Sequence, residues 1–163
     1  MRDSHGTAFE PATGDGPPSA GSPQERAGAV RTAFEGLLQI RRLTRPDHAD
    51  PEGVPAEWEL HRPVRAVSLV LESAGIPPSA TGESGERVAT GYRVSGGGVP
   101  GAVRVEWSGP PGSGAVHDEE EALGECLQVL RRSGWTALLY RGPRRRRYLE
   151  VEPPKRPVSG AAR

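Results

Sequence analysis

Asparagine is absent from this 163-residue chain, lysine occurs only at position 155, isoleucine only at 40 and 76, and cysteine only at 126. A lone thiol excludes an internal disulfide and predicts a reducing compartment. Aromatic residues supply 5% of the chain and hydrophobic residues 34%, too little to bury all of it. No segment approaches the roughly 18 apolar residues of a membrane span. The first twenty residues hold acids and prolines where a secretory signal needs a basic start and an apolar run. A cytoplasmic protein without membrane association is the expectation. The scarcity of lysine and the absence of asparagine also mark a coding bias toward arginine, so arginine abundance alone carries little information and only its clustering counts.

Glycine and proline are plentiful, at 22 and 17 residues, and concentrate in a few stretches that cannot bury enough apolar surface to offset their ordering entropy. They divide the chain into a disordered tail over 1–22, an amphipathic helix over 23–43, a linker over 44–56, an α+β domain over 57–152 and a second disordered tail over 153–163.

The first helix starts at a capping signal, Ser22 with Pro23 and Glu25. Val30, Ala33, Phe34, Leu37, Leu38 and Arg41 follow helical spacing, and Pro46 lies beyond the end. Its apolar face needs cover, from its own domain, a second copy or another protein. A further helix is predicted from Pro63 to Ala74, stopped by Gly75, and a short strand at Glu57 to Leu60 would extend the sheet.

Period-two alternation marks strands through Val88–Val94 and Val103–Trp107, and pairing Val94 with Val103, Tyr92 with Val105 and Thr90 with Trp107 gathers the large side chains on one face. Asp118 and Glu121 form a capping pair for a third helix, with Leu123, Leu127 and Leu130 on its stripe, Arg131 and Arg132 in its last turn and Gly134 as its stop. The expected class is α+β: a mainly antiparallel sheet of about four strands with two helices on one face, plus the N-terminal helix.

Charge is balanced at 21 basic and 21 acidic residues but unevenly distributed. Asp118, Glu119, Glu120, Glu121 and Glu125 form an acidic block, explained first by the positive end of the helix dipole and otherwise by pairing with the arginines that follow. Arg141, Arg144, Arg145, Arg146 and Arg147 then crowd the turn between the apolar stretches 136–140 and 148–151. Pairing Leu138 with Leu149 places Tyr140 opposite Arg147 and Arg141 opposite Arg146. Pro143 suits the second position of a type I or II turn.

Other motifs fail their context tests. Gly96, Gly98 and Gly101 match a dinucleotide pattern, yet Pro100 interrupts it and a strand follows where a helix N-terminus is needed. Gly109–Gly114 lacks the Gly-Lys-Ser/Thr ending of a phosphate loop. His48 beside Asp47 and Asp50 sits in a linker without a rigid frame for a metal. Cys126 falls on an apolar helix stripe, while His5, His61 and His117 are scattered. Neither a cofactor, a metal nor catalysis is expected, because no nucleophile, base and oxyanion set assembles.

The leading expectation is a small accessory protein that binds DNA or RNA non-specifically through Arg141, Arg144, Arg145, Arg146 and Arg147, with Tyr148 or Tyr140 as a stacking surface. The alternative is an interaction or assembly module that forms a homodimer or meets a protein partner through residues 23–43, leaving the arginine turn a solvated loop.

Overall fold

A computed structural model describes residues 9–155. The expected tails lie outside the described residues over 1–8 and 156–163. Among the described residues helix and sheet are mixed: four helices accompany a two-stranded and a four-stranded sheet, both antiparallel. None of the described helices is long and apolar enough to cross a membrane.

Helix α1 spans Pro23–Thr44. Ser22 Oγ accepts the Glu25 N–H at 3.0 Å and the Glu25 carboxylate accepts the Ser22 N–H at 3.0 Å, closing the capping box. Its apolar stripe is covered within the chain, where Val30 and Leu37 pack with Leu69 and Trp58. An association through residues 23–43 therefore has only the outer side of this helix left, where Ile40 and Leu43 are exposed.

The segment expected as a strand at 57–60 is instead a short helix, α2 (Glu57–His61). Glu59 explains the change. Its carboxylate turns back to accept the Ala56 N–H at 2.9 Å and is gripped by Arg41 of α1 through two bonds of 2.6 and 2.7 Å. Both side chains are 0% exposed. The remaining Arg41 donors reach the Glu52 and Ser133 carbonyls, so one guanidinium ties four parts of the chain together.

Helix α3 (Pro63–Ser73) follows directly, and two short strands, β1 (Ala80–Thr81) and β2 (Arg87–Ala89), form the small sheet. The larger sheet contains β3 (Gly91–Gly96), β4 (Val103–Ser108), β5 (Thr136–Arg141) and β6 (Arg147–Glu152) in the order β3-β4-β6-β5. Between β4 and β5 runs α4, Ala115–Arg132. It starts three residues ahead of the predicted Asp118 cap, because Gly114 takes the cap position and its carbonyl accepts the His117 and Asp118 N–H groups. At its far end Gly134, at φ +93°, lets the Trp135 N–H return to the Leu130 carbonyl and the indole enter the core.

One core joins α3 and α4 to the sheet. Val67, Leu71, Leu123, Cys126 and Leu130 meet Tyr92, Val94, Val103, Val105, Leu149 and Val151. The β3–β4 pairing is Tyr92 with Trp107 and Val94 with Val105, two residues away from the predicted register. An even shift leaves the same side chains facing inward, so the hydrophobic pattern could not distinguish the two registers.

Residues 9–16, expected to belong to the disordered tail, make defined contacts. The Thr13 carbonyl accepts the Val94 N–H at 2.7 Å, and the Tyr92 hydroxyl donates to the Ala12 carbonyl at 2.8 Å. Asp15 receives Arg87 and Arg93, while Glu10 receives Arg65. This arm has few apolar side chains, and charge and backbone bonds fasten it, which is why composition alone reads it as tail. Gly14 fits only as glycine: its φ is +98° and a β-carbon would lie 2.2 Å from the Tyr92 carbonyl oxygen.

Candidate nucleic-acid interface

The β5–β6 hairpin positions every arginine of the cluster. Its register pairs Leu139 with Leu149, Tyr140 with Tyr148 and Arg141 with Arg147. This is one residue from the predicted pairing, and the physical cause lies in the turn. Gly142 donates its N–H to the Arg146 carbonyl at 2.6 Å, and Arg146 donates its own to the Pro143 carbonyl at 3.3 Å. Arg144 and Arg145, the two central residues, both have positive φ, at 61° and 62°. That is the pattern of a type I′ turn, with Pro143 ahead of the central pair instead of within it. A side chain in the left-handed region costs roughly 1–2 kcal/mol. Nothing in an Arg-Arg pair announces such a turn, so the connector length could not be read from the sequence.

The shift divides the arginines into two groups. Arg146 and Arg147 are engaged by the chain's own carboxylates. Arg146 Nε donates to Glu119 Oε2 at 2.6 Å and its Nη2 donates to the Trp107 carbonyl at 2.8 Å. The Arg147 N–H donates to Glu119 Oε1 at 2.8 Å, and its guanidinium lies 3.5 Å from Glu120. Glu119 is only 1% exposed. Of the acidic block, this residue therefore faces the hairpin base as well as sitting in the first turns of α4. Arg141, Arg144 and Arg145 are exposed and form no ion pair with the described residues.

The same register brings two tyrosines together. Leu149 and Val151 face the core with Ala137, while Leu138, Tyr140 and Tyr148 lie on the opposite face of the sheet. The Tyr140 and Tyr148 rings stack with centroids 5.7 Å apart and planes 23° from parallel. From β4, the Arg104 guanidinium lies 3.9 Å from the Tyr148 ring centroid. Three planar groups thus adjoin across three neighbouring strands. Arg104 was missed in the sequence because strand alternation marks it only as outward-facing. Beside this row Leu138 is 48% exposed and Tyr140 44% exposed.

The other sequence candidates lie elsewhere. The glycines of 96–101 form the β3–β4 connector, where the Gly97 N–H bonds the Ala102 carbonyl. Gly109–Gly114 borders a recess shared with Arg87, His117 and Arg146, but Asp15 and Glu119 already hold both arginines. His48 Nδ1 accepts the Asp50 N–H, and His61 Nδ1 contacts the Glu57 carbonyl. His5 is outside the described residues. Burial, reinforced by the nearby Glu125 charge, pushes the Cys126 thiol up to about 12. Among the described residues no three His, Cys, Asp or Glu side chains gather as metal ligands.

No family model matches this chain, and no curated protein or solved structure is significantly similar to it.

Proposed function

We propose that the chain binds nucleic acid without base specificity, using the tip and the solvent-facing side of the β5–β6 hairpin. Arg141, Arg144 and Arg145 contact backbone phosphates, for which guanidinium groups are suited by charge and fork geometry. Arg146 and Arg147 act indirectly, holding the turn against Glu119. The role assigned is binding, with no catalytic step. The observation that carries this reading is the pair of adjacent left-handed arginines, exposed at a hairpin tip without a carboxylate partner among the described residues. A fold keeps such local strain where the surroundings over-determine it, commonly at ligand contacts.

Titration of a labelled oligonucleotide against salt tests the reading. Three phosphate contacts give a log–log slope of about −2 to −3, at roughly 0.7 to 0.9 per contact. Arg144→Ser with Arg145→Ser should remove most of that slope. A parent protein with no salt-sensitive retention, or a double variant with unchanged slope, would eliminate the proposal.

A further inference from the structure

We infer that the nucleic acid this face takes is single-stranded, with a base stacking on Tyr140 at the end of the Arg104, Tyr148 and Tyr140 row. The inference rests on the binding role proposed above and specifies its ligand.

Tyr148 has Arg104 at 3.9 Å and Tyr140 at 5.7 Å as its planar neighbours. Among the described residues, Tyr148 is the one planar group stacked on Tyr140. Tyr140 belongs to β5, the last strand of the sheet, so no described strand lies beyond it. The row therefore ends in an exposed aromatic face at the sheet margin. A nucleobase is a planar group that can lengthen such a row by one member.

Charge fits the same occupant. Arg144 and Arg145 stand exposed at the tip of the same hairpin, whereas Arg141, paired with Arg147, projects from the other face of the sheet. A strand laid from the tip toward Leu138 would pass its phosphates by Arg144 and Arg145 and its bases by Tyr140. In a duplex every base face is already covered by its neighbour, leaving only groove edges and phosphates outside. An exposed tyrosine row is then of no use to it. Single strands present free base faces and pair aromatic platforms with a basic track.

The experiment measures anisotropy of labelled oligothymidylate, oligouridylate, a duplex of equal length and heparin, each with the full chain. Both single strands should bind more tightly than the duplex or heparin, and the ratio of the two gives any DNA or RNA preference. Tyr140→Ala should weaken single-strand binding on the order of tenfold and leave duplex binding unchanged. Tyr140→Phe should bind as the parent does. Tyr140 is exposed, and circular dichroism of both variants verifies the fold. Equal affinity for duplex and single strand, or a neutral Tyr140→Ala, would overturn the inference while salt-sensitive binding kept the broader reading alive. No binding to any nucleic acid overturns both.

Discussion

The Arg146 guanidinium meets Glu119 at 2.6 Å, joining the base of the hairpin to a carboxylate in α4 that is almost wholly out of water. The bond fixes the hairpin at the expense of two of its five positive charges, since Arg147 shares the same acid. Position and charge are therefore set against each other in one contact.

Glu119→Gln separates them. Amide oxygen can still accept one donor, so the fold should persist, with a loss of about 1–3 kcal/mol from imperfectly satisfied buried groups. Released from the carboxylate, Arg146 becomes available to phosphate. Urea unfolding should give the lower stability, and oligonucleotide titration should give tighter binding with a steeper salt slope.

Arg144 and Arg145 pose the complementary case. Replacing them with Arg144→Asn and Arg145→Gly supplies the residue types that a type I′ turn prefers. Thermal unfolding should show stabilisation of about 1 kcal/mol. Nucleic-acid affinity should fall in the same protein. A gain in stability together with full affinity would mean that the strained arginines contribute nothing to binding.

The buried Arg41–Glu59 pair calls for another test. Arg41→Met alone leaves Glu59 charged without its cation, and breaking a buried pair from one side typically costs about 3–5 kcal/mol. Adding Glu59→Leu should recover part of this loss in denaturant titrations, because the stranded charge is gone. The Ala56 N–H and the Glu52 and Ser133 carbonyls remain without their partner, so recovery stays incomplete.

Much of this architecture was legible because local signals agreed with burial. The Ser22 capping box, the Gly75 and Gly134 stops, the stripe on α4 and the inward faces of β3 and β4 all follow from residue type and spacing. The α2 segment was not legible, because its fate depends on Arg41, 18 positions away from Glu59. The arm over 9–16 was hidden for a related reason: its partners are Arg65, Arg87 and Arg93, far along the chain. The candidate site was half legible. Clustering identified the arginines, but the predicted register put Tyr140 and Tyr148 on opposite faces, and a one-residue change in the connector brought them into contact.

Asp15 should give the arm an acid sensitivity. Burial pushes its carboxyl upward, but hydrogen bonds and charge from Arg93 and Arg87 outweigh this and hold the pKa below its ordinary 3.8. A depressed folded value means a stabilising contribution that is complete above the unfolded value and fades as pH falls through the folded one. The stability difference between the parent and Asp15→Asn should accordingly be full at neutral pH and shrink below about pH 4.

Cys126 should be chemically silent in the native protein. Its thiol is buried and its pKa is raised to about 12, so the reactive thiolate is scarce at neutral pH. A thiol reagent should label it slowly in buffer and rapidly in denaturant, with the native rate following the unfolded population. Prompt labelling of the folded chain would contradict this core placement.

The two margins of the large sheet differ, and the difference limits how copies of the chain can join. Thr13 and Pro77 occupy amides of β3 at one margin, while no described strand pairs with β5 at the other. Polymers that grow by strand addition require both margins to be vacant. A sheet with one margin capped can pair with a single copy through the other and then stops, so propagation into fibrils is blocked for as long as the arm stays in place.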